Sequence, residues 1–586
     1  MSKLAFLVPA VLVSSAGGAA AAYTVGAHAG LSLIAAAPET LIPATADAYV
    51  AIDRGAAQGA ALAHLWSAYQ SHPGTAPALA HLRADMTKGG FDMRRLTPLL
   101  SSLGDRAALA VWIPSKNTAQ PGLAVVAQTR LTSLVGGGAP LHSLAHTAPA
   151  WAYEGTQVYR VTFDQGGGSG YGCLLAGDAV LTTDAATMKR VVDTAAGRVP
   201  ALATDKTFTT TLAALPPARA LTAYVAPSVA VRLRHELDKG YATLPPDTRR
   251  QLRRLQPAID ARPYALSITA SNDGLAFNTT ALPAGPVHLD ATPNVAAGIL
   301  ARDTIYYASQ DNLAALITPY LGLLPAGSLG QFEQQTGIDV RRDVLGWMNG
   351  EFAVDINAGV SPVVGRAIAS MNARSQAMGN TLGPVTQGLS SQQSAGAVGG
   401  RLAAPAVPSL PGSIELAWHV DDPVAVQRSL DRLAAVAARD TNAPGPLLTT
   451  TTLPDGTRAT VAATLPGLGY AFHDHWLIAS SNLTADLGMT AAPLSSDPAY
   501  GAAMAHVSPG ALTSVSYLDV TRLLAGVDAW MGYAKGAGLL SGTGSSDGWT
   551  WAQAEPLIAP LRSVVAVTHQ DSARDTRAQV FAAIGG

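Results

Sequence analysis

The chain repeats itself. Residues 90–95 read Gly-Phe-Asp-Met-Arg-Arg and residues 337–342 read Gly-Ile-Asp-Val-Arg-Arg, an offset of 247. After each Arg-Arg pair the chain runs through a short apolar helix to a glycine turn and a strand. In the first copy these are Leu99, Leu100 and Leu103, then Gly104-Asp105, then 108–112; in the second they are Val344, Leu345, Trp347 and Met348, then Gly350-Glu351, then 352–356. Further on, Leu202-Ala203-Thr204-Asp205-Lys206-Thr207-Phe208 matches Leu494-Ser495-Ser496-Asp497-Pro498-Ala499-Tyr500 at an offset of 292, and Ala223-Tyr224-Val225 matches Ser516-Tyr517-Leu518 at 293. Two copies of one pattern must each bury the same faces, so the expected organisation is two units of one architecture, 38–285 and 286–586, behind an N-terminal segment 1–37. A chain of 586 residues is in any case too long for one ordinary core.

The offset grows by about 45 between positions 356 and 494, as one insertion in the second copy would produce. Residues 357–412 are poor in acidic residues and rich in Gly, Ser, Gln, Ala and Pro, and from Ser390 onward they read as a flexible linker. The front half does not. Val364, Ile368, Met371, Met378, Leu382, Val385 and Leu389 fall at steps of three and four, with Ser375 filling the gap, which puts them on one face of a helix over 361–393. Pro384 interrupts that helix late. It packs on its own domain or is offered to a membrane surface or partner; its only basic residues, Arg366 and Arg374, are few for anionic lipid.

The remaining pattern is mixed. Residues 48–52 and 304–308 predict opening strands, each leading into a helix. Strands follow at 107–113, 122–128, 157–164 and 171–175, and 180–183 leads into a helix with Met188, Val191 and Val192 inward. Each copy closes on two paired strands, 264–270 with 275–282 and 564–569 with 578–583. Ser271-Asn272-Asp273-Gly274 joins the first pair as a hairpin turn, because Asp-Gly supplies the required positive φ. Short strands interleaved with helices, but not in strict βαβ order, predict an α+β fold: two tandem homologous lobes, each a mainly antiparallel sheet with packed helices, plus an N-terminal signal or anchor helix.

That N-terminal helix sets the compartment. Lys3 precedes an apolar run of signal-peptide length, and Ala-x-Ala sites stand at 20–22 and 27–29. No charge appears over residues 4–25, long enough to span a bilayer, although Pro9, Gly17 and Gly18 weaken the helix. A cleaved signal and an uncleaved anchor both place the rest of the chain outside the cytoplasm, in the periplasm or on the outer face of the inner membrane. Cys173 is the only cysteine, so no internal disulfide is possible and the fold rests on core burial. Charged residues make up 13 %, about half the usual share, and the net charge of −2 provides no basic field for nucleic acid. The low charge fits either a high-alanine compositional habit or a chain that lives against a membrane or partner.

Chemistry is sparse. His473 and His475 flank Asp474; two apart on a strand they would share a face and could hold a metal, yet two histidines leave a zinc site short of ligands, and by the repeat they replace a hairpin tip. His142 and His146 are spaced for one helix face, without the glutamate of a metalloprotease helix. The run Gly166-Gly167-Gly168-Ser169-Gly170-Tyr171-Gly172 has no lysine and precedes a strand, so it reads as a hairpin loop and not a phosphate cradle. No Gly-x-Ser-x-Gly elbow occurs. Cys173 falls in a strand as a small core residue. Asp421-Asp422 precede Pro423 and cap a helix. Asp105-Arg106 reads as a turn and ion-pair feature. No cofactor is implied.

Three segments carry a resemblance: Leu-Ile-Pro-Ala-Thr-Ala-Asp-Ala-Tyr-Val at 41–50, Gly-Phe-Asp leading to Leu-Gly-Asp-Arg-Ala-Ala-Leu-Ala-Val across 90–111, and Leu-Leu-Ala-Gly-Asp-Ala-Val-Leu-Thr-Thr-Asp at 174–184, followed by 202–208. The chain resembles the bacterial exported proteins grouped as domain of unknown function 3352, across nearly all of 38–586 in two diverged copies. The second copy departs in having Gly350-Glu351-Phe352 where the first has Gly104-Asp105-Arg106. The resemblance implies an exported or N-terminally anchored protein and brings no catalytic residues. The expected function is a non-enzymatic envelope module that binds a partner or ligand; a carrier of apolar, lipid-like ligands and a hydrolase with a site hidden by sequence distance are the alternatives.

Overall fold

The computed structural model describes residues 37–88, 103–114, 121–129, 146–162, 169–242, 262–283, 291–321, 327–360, 411–441, 447–453, 456–463, 467–483, 492–508, 510–536, 551–572 and 575–585, with 246, 249 and 324 as isolated positions. The signal or anchor segment, the 90–95 motif, His142, Gly166 to Gly168 and the 361–393 helix with its linker lie outside the described residues.

The chain is α+β and divides into two compact units. The first comprises Met1–His288, His506–Pro509 and Trp549–Gly586; the second comprises Leu289–Ala505 and Gly510–Gly548. The first holds β1 (Ala48–Asp53), β2 (Leu103–Trp112), β3 (Gly122–Thr129), β4 (His146–Tyr153), β5 (Thr156–Thr162), β6 (Ser169–Leu175), β7 (Asp178–Thr182), β8 (Leu221–Val225), β9 (Tyr264–Ser271) and β10 (Gly274–Pro283). The second holds β11 (Thr304–Asp311), β12 (Glu351–Val360), β13 (Pro411–His419), β14 (Leu448–Thr452), β15 (Arg458–Ala462), β16 (Gly469–His473), β17 (Trp476–Ser480) and β18 (Ser514–Asp519). The chain then returns to the first unit with β19 (Leu561–Ser572) and β20 (Asp575–Ile584).

Every pairing among the described residues is antiparallel. In the first unit the order is β4-β5-β6-β7-β3-β2-β1-β8-β9-β10-β20-β19. In the second it is β14-β15-β16-β17-β13-β12-β11-β18, the order in which the first eight strands pair in the first unit. The closing hairpin of the second sequence copy, β19 and β20, belongs to the first unit. There β20 satisfies the outer edge of β10, an edge whose backbone groups would otherwise be open to other chains. The Asp273-Gly274 hairpin forms as its turn chemistry requires, joining β9 to β10.

The insertion connects two neighbouring strands. β12 runs to Val360 and β13 starts at Pro411, so the residues read as 357–360 and 411–412 of an insertion are strand, and the connection proper is 361–410. The matching β2–β3 connection takes only 113–121. A connection between paired strands tolerates such growth because closure entropy rises only slowly with length.

Among the described residues the helices are α1 (Ala56–Ser71), α2 (Thr75–Lys88), α3 (Ala185–Ala195), α4 (Lys206–Ala213), α5 (Pro227–Ala242), α6 (Leu313–Leu321), α7 (Ser328–Thr336), α8 (Pro423–Thr441), α9 (Pro498–Met504), α10 (Val520–Gly536) and α11 (Trp551–Ile558). Among the described residues none is long and apolar enough to cross a membrane. Aspartates start several of them: Asp184 accepts from Thr187 N at 2.8 Å, Asp205 from Phe208 N at 2.9 Å, Asp422 from Ala425 N at 3.0 Å and Asp497 from Ala499 N at 2.7 Å. The repeated Gly-x-Asp-x-Arg-Arg motif has the same logic in its second copy. Gly337 ends α7 at φ +70°, Ile338 plugs the core at 1 % exposure, and Asp339 accepts from the backbone N–H groups of Arg341 and Arg342.

The first unit's larger core cluster lies on the Tyr49 face of its sheet, and Leu62 and Leu65 of α1 pack against Ala270 on the other. Met188, Val191 and Val192 of α3 are buried against it, as their spacing predicts. Tyr49, Phe208 and Tyr224 meet edge to face, with centroids 5.5 Å and 5.0 Å apart. The second unit places Tyr307, Tyr500 and Tyr517 in the same arrangement, at 6.2 Å and 5.1 Å.

Candidate functional site

Several polar groups of the first unit surround a cavity of about 390 Å³ on the β1 side of the Tyr49 cluster. Four local features build it. A single 3-10 turn, Pro38–Thr40, brings in Glu39, whose Oε2 accepts a 3.0 Å hydrogen bond from the Tyr49 hydroxyl. The end of β1 supplies Asp53, which accepts from Gly55 N at 2.8 Å and from Arg106 Nε of the neighbouring β2 at 3.0 Å. The first turn of α1 supplies Gln58, tied to β9 by both ends of its amide: Nε2 donates to Ala270 O, and Oε1 accepts from Ala270 N. The turn after α4 supplies Arg219, whose guanidinium donates to the carbonyls of Leu212, Leu215 and Pro216 and so closes the helix C-terminus. Phe208, Leu212 and Pro217 make the apolar wall.

The electrostatics follow from this geometry. Burial raises the Tyr49 phenol well above its ordinary range, and the charge and hydrogen bond of Glu39 push it further; Arg106 pulls the other way and Asp53 adds to the rise. Three ionisable side chains therefore act around one hydroxyl. Burial draws Arg219 down, opposed by Glu39. Among the described residues, Arg219 Nη1 and both Nη atoms of Arg106 make no hydrogen bond, and neither does Glu39 Oε1. The lining includes no Ser, Cys, His or Lys.

The second unit fills the corresponding space. Tyr307 stands opposite Tyr517 as Tyr49 stands opposite Tyr224, and Glu351 stands opposite Asp311 as Arg106 stands opposite Asp53. The match of Gly350-Glu351-Phe352 to Gly104-Asp105-Arg106 is thus off by one residue, and Glu351 replaces Arg106. Glu351 turns inward, accepting from Val295 N at 2.9 Å, Ala296 N at 3.2 Å and Ser309 Oγ at 2.7 Å. Tyr307 donates to Asn294 Oδ1 at 2.6 Å, and Asn294 Nδ2 donates to Tyr500 at 2.9 Å. Where the first unit has an open mouth, the second has a closed polar network. A separate cavity of about 680 Å³ lies between α8 and β14 to β16, but the Gln427 amide nitrogen there is spent on Asp431 and Tyr470, and half of its lining is Ala and Thr.

The residues singled out from sequence fall elsewhere. His473 ends β16 and His475 lies in the Asp474-His475 turn, with Asp474 at φ +51°, so the two do not share a strand face. His475 Nδ1 lies 3.3 Å from Val420 O, and His473 is 4.0 Å from the exposed Asp474. Among the described residues no group of three or more His, Cys, Asp or Glu could hold a metal. His146 opens β4 opposite Thr162 and is not helical; the β-rich run through Trp151 and Tyr153 outweighs the i,i+4 spacing. Cys173 is fully buried, 3.4 Å from Met188 Sδ, and burial pushes its thiol up to about 12. Gly170 is strand, and a Cβ there would meet Thr182 O at 2.4 Å, a close approach that requires glycine. Arg106 does form an ion pair, but with Asp53 and from within β2.

Glu39, Tyr49 and Arg219 were not legible as a site. They lie 180 positions apart end to end, and only the Leu215-Pro216-Pro217-Ala218-Arg219 turn after a helix marks a C-terminal arginine.

A family model described as "Protein of unknown function (DUF3352)" matches residues 7–393. No curated protein and no solved structure matches the chain.

Proposed function

We propose, from the premise that the chain belongs to the DUF3352 family, that it is an exported cell-envelope protein acting as a non-enzymatic binding module, with the Tyr49–Arg219 cavity of the first unit as its ligand site. The reading takes the chain as a doubled gene whose copies fold as two homologous lobes. The recurring strand order and the matched tyrosine clusters support that reading. The charge-free N-terminal run supports export, by a cleaved signal or a retained anchor.

The observation that carries the binding reading is the cavity's inventory: fixed donors on two arginines, an unspent carboxylate oxygen and an aromatic wall. Catalysis is less well supported. The hydroxyls at hand are Thr222 and a phenol whose ionisation burial and Glu39 both oppose. Ionised groups at the mouth also argue against a carrier of wholly apolar ligands.

Two measurements test the proposal together. Protease treatment of intact spheroplasts should digest the chain, and mass spectrometry of protein purified from its native envelope should find a co-purified small molecule. Full protection from the protease overturns export; purification without any bound molecule, at quantitative detection, overturns the binding reading.

A further inference from the structure

We infer that the ligand of this cavity is a zwitterion, with one ammonium and one carboxylate on a short apolar body, of the size of a dipeptide. The inference rests on the cavity being the binding site. Besides Tyr49, four ionisable side chains line it: Glu39, Asp53, Arg106 and Arg219. They are not equally spent. Both oxygens of Asp53 are used, by Gly55 N and by Arg106 Nε. Glu39 uses one oxygen, on Tyr49, and keeps Oε1. Arg219 is held by three backbone carbonyls and, among the described residues, has no further partner for Nη1, and Arg106 has none for either Nη atom.

The unspent set is therefore one anionic acceptor beside cationic donors, on groups whose positions are already fixed, so little ordering is left to the ligand. A simple anion on the guanidinium groups would bring its charge against Glu39 and Asp53. A simple cation on Glu39 would face two guanidinium groups. A neutral apolar ligand would desolvate all of them without replacing their hydrogen bonds. A zwitterion satisfies both signs at once. Phe208, Leu212, Pro217 and Ile52 offer surface for an apolar side chain, and about 390 Å³ is at the small end of ligand cavities. The second unit replaces this set with the closed Glu351 network, so one site per chain is expected.

Calorimetric titration of the full chain with four probes tests this: leucyl-leucine, its N-acetyl form, its C-terminal amide, and octanoate. The dipeptide is expected to bind, with each blocked form about tenfold weaker or worse. Glu39→Gln should abolish the discrimination against the acetylated form, and Arg106→Gln, at a side chain half exposed, should abolish that against the amide. Octanoate or the acetylated form binding as tightly as the dipeptide overturns the zwitterion while leaving the cavity as the site. Failure of all four probes overturns it too, and the molecule co-purified from the envelope then decides the cavity reading separately.

Discussion

Tyr49 donates its phenolic hydrogen to Glu39 over 3.0 Å, and this bond closes the floor of the cavity in the first unit. Its partner in the second unit, Tyr307, spends the same hydrogen on Asn294 and belongs to a closed network. From that difference between equivalent tyrosines comes the assignment of binding to one unit.

The Tyr49 phenol should resist ionisation. Burial is the larger cause and Glu39 the smaller, so Glu39→Gln should lower the apparent pKa of Tyr49 without returning it to the ordinary value. Ultraviolet difference titration, with Tyr49→Phe to identify the transition, measures it. An ordinary tyrosine titration in the parent protein would contradict the assignment.

Asp178 opens β7 with no exposure and no hydrogen-bond partner on either oxygen, and burial raises it from 3.8 to about 7. The folded state thus holds a proton that the unfolded chain releases. Stability from this group is intact below about pH 4, falls as pH rises towards 7, and is flat above, at about 1.4 kcal/mol per pH unit across the window. Asp178→Asn should raise the melting temperature at pH 8 and leave it unchanged at pH 4. A gain of equal size at both values would show that the carboxyl is not the cause.

Asp497 is 3 % exposed, caps α9 and accepts from Arg522 Nη2 at 2.6 Å. Burial pushes its carboxyl up, but the Arg522 bond and the backbone N–H groups of Ala499 and Tyr500 hold it below the ordinary value. Its stability contribution is present above the unfolded value of 3.8 and is lost as pH falls through the lower folded one. Arg522→Ala leaves a buried carboxylate without its cation and should cost about 3 kcal/mol in urea unfolding at pH 7, with most of the loss removed by adding Asp497→Asn.

Cys173 should be inert. With its thiol pushed up to about 12 inside the core, it should react with a thiol reagent at pH 8 only as fast as the chain opens, and at the rate of a free thiol in guanidinium chloride.

Much of the fold was legible. Alternating runs such as 48–53 and 304–311, and the Asp273-Gly274 turn, specify strands by local chemistry alone. The repeat matched Asp205 with Asp497, and both cap helices, because capping is also local. What depends on long-range register was not legible. In one cross-strand row the first unit places Tyr224, Tyr49, Ala110, Ala124 and Thr182; the second places Tyr517, Tyr307, Asp355, Glu415 and Ser480. Two buried carboxylates thus sit where two alanines do, a difference that no linear alignment with a one-residue slip could reveal. The cavity was missed for the same reason: Glu39 and Arg219 meet only once β1, α4 and the turn before β1 are in place. The departure at Glu351 was the one sign of this difference visible in the sequence.

The most direct test compares protein purified from its native envelope with a variant carrying Ala57→Trp and Ala218→Trp, two exposed positions on the cavity wall. Native mass spectrometry should show a small-molecule adduct on the parent and none on the folded variant. The same adduct on both proteins would contradict the account.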